Sequence, residues 1–169
     1  MCTEIRGGYD SSSQEKHATG TVDLTTSPTT ALITFSNMAP GDKVTNPITV
    51  NNPGSLQFRY AVTSTTTENV LAAQIDLTIK SGVTTCTNAA FGTDGTVVRA
   101  AGDLATTAGI NLIGDPTTGL QAGDRTLVAT TGTEVLCFQA ELPIGTGNTF
   151  QGLTTTATLT FAAEQTVNN

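Results

Sequence analysis

The sequence predicts an all-β fold, a two-sheet sandwich or jelly roll. Three observations carry this expectation. Threonine (36) and glycine (17) supply 53 of 169 residues. Threonine is β-branched yet polar, which suits the solvent face of a strand, and glycine suits turns. From Thr21 onward, short runs of apolar and polar alternation recur between turn residues, the pattern of half-buried strands. No segment keeps a helical period for more than about two turns. About eight or nine strands with frequent turns suit a sandwich or jelly roll.

Taken in order, Val22 and Leu24 share one face of a first run, and Ile33 and Phe35 one face of the next. Pro40-Gly41-Asp42 reads as a turn. Val44, Ile48 and Val50 lie on one parity around Pro47, which marks an edge or a bulge. Asn51-Asn52-Pro53-Gly54 is the strongest turn signal. Phe58, Tyr60 and Val62 alternate with polar or small residues, and so do Ala73, Ile75, Leu77 and Ile79. Residues 81–124 read as a loop-rich excursion with short strands at Val97-Val98 and Ile110 to Ile113, and turns at Asp115-Pro116 and Gly123-Asp124. Leu127 and Val128 begin another strand. Leu136, Phe138, Ala140 and Leu142 form one inward face, and Ala157, Leu159, Phe161 and Ala163 another. Single helical turns fit Leu71 to Ala73 or Asp103 to Ala108.

Composition excludes several functions. The net charge of −7 and the pI near 4.4 oppose nucleic-acid binding, which needs a basic face. No run of about 18 apolar residues exists to span a membrane. With 37% apolar and 12% charged residues, the chain is not of the disordered class. The low charge points to export. Residues 1–20 are polar and lack an apolar leader core, so either the chain is cytoplasmic or a leader has been removed.

The search for chemistry is short. His17 is the single histidine, and it lies in the polar N-terminal stretch. There is no G-x-S-x-G and no H-E-x-x-H. Asp42, Asp94, Asp115 and Asp124 each neighbour Gly or Pro, so turn capping is their expected task. No D-x-D-x-D-G spacing signals calcium. No catalytic residue, metal or other cofactor is therefore expected. Of the three cysteines, Cys2, Cys86 and Cys137, the simplest extracellular arrangement is a Cys86–Cys137 disulfide with Cys2 left over. Buried or incidental thiols are the alternative.

Three stretches resemble the TasA/camelysin family of secreted surface and biofilm-matrix proteins. They are Gly20-Thr-Val-Asp-Leu24, then FSNMAPGDKVTNPITVNNPGSLQFRYAV from Phe35 to Val62, then LCFQAELPIGTGNTFQGLTTTATLTFAAEQTVNN from Leu136 onward. The resemblance implies a jelly roll at 21–169, export by a dedicated signal peptidase with the leader removed, and an extracellular or cell-surface location. It also implies polymerisation, since such proteins, like the similar archaeal bundling pilins, form fibres by donor-strand complementation. The donor would be the extension at 1–20, with Ile5 and Tyr9 as anchors on one face of an extended strand. A loose tail is the alternative. The implied partners are further copies of the chain, and other matrix or cell-surface components. A monomeric adhesive module of the same fold is the rival function, and a hydrolase is the third. Camelysin-like members have been described as proteases, but one histidine and no nucleophile motif give no basis for carrying that activity over.

Overall fold

The computed structural model describes residues 20–29 and 32–167. Ten strands, β1 (Thr25–Ser27), β2 (Leu32–Ser36), β3 (Lys43–Asn52), β4 (Phe58–Thr66), β5 (Asp76–Ser81), β6 (Thr96–Arg99), β7 (Ile110–Ile113), β8 (Arg125–Leu127), β9 (Gly132–Glu141) and β10 (Thr154–Gln165), build a jelly-roll-like sandwich. One sheet runs β1-β3-β9-β5-β6 and the other β2-β10-β4-β7, with β8 also pairing β4. Every pairing between these strands is antiparallel.

The alternation read from the sequence fills the space between the sheets. Phe58, Tyr60, Val62, Ile75, Leu77, Ile79, Leu136, Phe138, Ala140 and Leu142 are all buried. Burying each large side chain contributes about 1.5–3 kcal/mol. Asp42 closes its turn by accepting the Ala39 N–H at 2.7 Å. Gly41 N–H donates to the Leu142 carbonyl, and Leu142 N–H to the Asp42 carbonyl, so that turn is tied to the end of β9.

Several expectations are corrected. Val22 and Leu24 lie outside strands; β1 begins at Thr25. Ala72–Gln74 form a 3-10 turn, so β5 starts only at Asp76. Leu127 ends β8 instead of opening a strand. A one-turn helix, α1 (Asn88–Phe91), occupies a stretch read as loop, its N-terminus capped by the Thr87 side chain. Asp103 to Ala108 contain no helix. Pro47 does mark an edge: β1 pairs β3 only at Thr49 to Asn51, so the missing N–H of Pro47 removes no hydrogen bond to a described strand on that side.

Candidate functional site

Cys86 and Cys137 are joined by a disulfide, with a Cα–Cα distance of 5.6 Å. The bond fastens the loop carrying α1 across the outer face of the first sheet. Asn88 Nδ2 donates to the Lys43 carbonyl at 3.0 Å. Lys80 Nζ donates to the carbonyls of Phe91 and Asp94 at 2.6 and 3.1 Å and stands 4.9 Å from the Phe91 ring centre. This cover buries Cys137 and Gln139, outward-facing residues of β9. Cys2, Ile5, Tyr9 and His17 lie outside the described residues.

Two polar groups tie distant strands together. The Tyr60 hydroxyl donates to Glu134 Oε2 at 2.7 Å, and the same oxygen accepts from Arg125 Nε at 2.8 Å. Burial first, then the hydrogen bond to Glu134, push the Tyr60 hydroxyl above its ordinary range, so it stays a neutral donor. The Glu134 carboxylate raises the Arg125 guanidinium in turn. On the outer face of β4, buried Arg59 Nε meets Glu164 Oε1 at 2.5 Å, and Glu164 also accepts the Gly119 N–H at 3.0 Å. Both groups are cross-links between strands.

The segment before β1 is anchored at the Asn51–Gly54 turn. Thr21 N–H donates to Ser55 Oγ at 2.9 Å, and Leu56 N–H to the Thr21 carbonyl at 3.2 Å. Two glycines permit this approach. A Cβ on Gly54 would stand 2.5 Å from the Thr21 oxygen, and one on Gly20 would stand 2.4 Å from the Leu56 side chain. Buried Asn52 supports the turn: its Nδ2 donates to the carbonyls of Leu56, Leu127 and Val128, and its Oδ1 accepts the Gly54 N–H. Next to Leu56, the Gln57 carbonyl accepts the Thr166 N–H at 3.2 Å. Gly20 and Thr21 therefore lie at the end of the sandwich where β10 finishes.

Among the described residues, β10 is paired over different lengths on its two sides. β2 pairs it only from Thr154 to Thr158, whereas β4 pairs it from Ala157 to Gln165. Thr156 N–H donates to Thr67 Oγ1, and its carbonyl accepts the Thr67 N–H. Strand alternation then turns the backbone groups of Thr158, Thr160 and Ala162 toward β4, and those of Leu159, Phe161 and Ala163 to the opposite side. Among the described residues no strand pairs these three on that side. Phe161 and Ala163 pack against the core yet are only partly buried; the Phe161 ring lies 6.2 Å from that of Tyr60.

Among the described residues, no group of three or more His, Cys, Asp or Glu could hold a metal ion. The described residues also include no helix long and apolar enough to cross a membrane.

Residues 9–85 match the family model for camelysin metallo-endopeptidase. The residues present do not fit the metal centre in that description, because the chain has one histidine and no H-E-x-x-H to supply a zinc ligand set. No curated protein matches the chain. One solved structure, of infectious bursal disease virus Gx strain, is similar over 89% of this chain and 33% of its own, at 12% identity and a TM-score of 0.40. Gly20 and Thr21 rest on Ser55 and Leu56, and the closing Phe161-Ala-Ala-Glu-Gln165 forms the end of β10.

The turn carboxylates give a pH dependence. Asp94 is held below the ordinary carboxylate range by the Thr84 hydroxyl, then by the Thr84 N–H. Asp115 is lowered by the Thr117 N–H, then by its hydroxyl. Glu68 is raised by burial but lowered, on balance, by the Thr155 hydroxyl and the amides of Leu71, Val70 and Ala72. A carboxylate lowered in the folded state adds stability above its unfolded pKa, and this is lost as pH falls through its folded pKa. The melting temperature is thus expected to stay level from pH 7 to about 5 and to fall below about 4. A thermal melt series checks this; a steep loss between pH 7 and 5 would contradict it.

Proposed function

We propose that this chain is a non-enzymatic structural subunit of an extracellular filament, polymerising head to tail as the segment before Thr21 of one copy adds to a sheet of the next. The observation that carries it is the tight seating of Gly20 and Thr21 on Ser55 and Leu56. That seating fixes Gly20 at the surface. Main-chain pairing of such a segment with a sheet edge supplies affinity, and alternate side chains supply register. A head-to-tail contact that does not close gives an open fibre. The low charge, 12% of residues, limits repulsion between packed copies. The match of residues 9–85 to the camelysin family model supports a secreted or surface location.

Light scattering against concentration compares the full chain with a chain beginning at Gly20. The full chain is expected to assemble and the shortened chain to stay monomeric. Equal assembly of both removes residues 1–19 as donor. A full chain that stays monomeric at all concentrations favours the adhesive-module alternative.

A further inference from the structure

We propose that the cleft between the outer face of the second sheet and the β7–β8 loop is a binding site for one ring of a neutral sugar. The site stands independently of the filament reading. Its volume is about 160 Å³, below the roughly 300–1,000 Å³ of sites for drug-sized ligands and so suited to a single ring. The floor is small by sequence: Ala61 of β4 pairs with Ala162 of β10, and both line the cleft. Two residues further along, on the same face, the paired Arg59 and Glu164 close one end. Asp115, Pro116 and the exposed Thr117 and Thr118 line it from the loop, and Asp124 joins them from the start of β8.

The side chains around this cleft define what it can hold. Arg59 is 5% exposed, its Nε is committed to Glu164, and its Nη2 is buried without a hydrogen-bond partner. A guanidinium donor held this way costs free energy until an acceptor reaches it. The ligand therefore carries an acceptor, which an ammonium group or a bare metal ion lacks. Three carboxylates, those of Asp115, Asp124 and Glu164, line the same cleft against one guanidinium, so a ligand carboxylate or phosphate is repelled. A carboxylate has about four acceptor positions. Asp124 takes the N–H groups of Asp115 and Gln121 and keeps room for ligand donors. The fitting ligand thus brings several donors, at least one acceptor, no charge, and an apolar face for the two alanines. A peptide amide supplies one carbonyl and one N–H. A ring carrying several hydroxyls, each both donor and acceptor, meets the whole set, and its C–H face covers Ala61 and Ala162.

Saturation-transfer NMR with glucose, galactose, mannose and N-acetylglucosamine tests this on the full chain. It reads the sugar's own signals, so it applies to monomer and fibre alike, and its failure leaves the filament reading intact. Two variants accompany the parent. Ala162→Leu fills the floor and removes no side-chain hydrogen bond, and Arg59→Lys removes Nη2 while keeping a positive charge beside Glu164. The expected result is a saturable signal from at least one of the four sugars, weakened at least tenfold in both variants, with unchanged far-UV circular dichroism. Should Arg59→Lys unfold, Ala162→Leu decides. No saturable signal from any of the four, undiminished binding to Ala162→Leu, or tighter binding of acetate than of every sugar would each overturn the proposal.

Discussion

Replacing Asn52 by Ala is expected to lower stability by about 2–4 kcal/mol and the melting temperature by roughly 5–15 °C. Asn52 is 1% exposed, and its amide holds together three parts of the chain. Nδ2 reaches the carbonyls of Leu56, Leu127 and Val128 at 2.9, 3.1 and 3.0 Å, and Oδ1 takes the Gly54 N–H at 3.0 Å. Alanine restores none of these bonds and leaves buried carbonyls without their donor, which costs more than the mean value of a hydrogen bond. The change also loosens the turn on which Thr21 rests, so assembly should weaken together with stability. Chemical denaturation checks the first effect and light scattering the second. A loss below 1 kcal/mol would show that the turn is held by other means.

Removing the disulfide through the double change Cys86→Ala and Cys137→Ala is expected to cost about 4 kcal/mol. The sequence separation is 51, and on the chain-entropy model closing a loop of that length restricts the unfolded chain by this amount. The two cysteines do not share one fate in the fold. Cys137 sits within β9 and is 1% exposed, whereas Cys86 belongs to the loop that the bond fastens down. Loss of the bond should therefore free the 82–95 cover before it disturbs the sheets. Denaturation of the variant gives the cost, and intact mass with and without reductant gives the bond itself, as a difference of two hydrogens. A variant as stable as the parent would show that the loop is held by the Asn88 and Lys80 hydrogen bonds alone.

Much of the sandwich was legible in the sequence because its strands alternate cleanly. Phe58 to Val62, Leu136 to Leu142 and Ala157 to Ala163 each show a period of two, and each points its apolar residues inward. Pro47 was legible for a different reason: its missing N–H restricts where a strand partner can lie. The polar turns at Asp42, Asp94, Asp115 and Asp124 were equally readable, and each carboxylate accepts a nearby backbone N–H. The cover over the first sheet was not, because α1 is four residues long and its place depends on contacts to Lys43 and Lys80, remote in sequence. The Tyr60–Glu134–Arg125 group was hidden likewise; its members are brought together only by the pairing of β8 with β4 and the packing of β9 behind it. Phe161 and Ala163 read as ordinary core positions, yet both are only partly buried.

Electron cryomicroscopy of the assembled full chain tests the central claim most directly. The account predicts fibres in which each subunit shows one added strand on a sheet, continuous in density with Gly20 of its neighbour. Fibres with no such added strand, or a preparation holding only monomers, would contradict it.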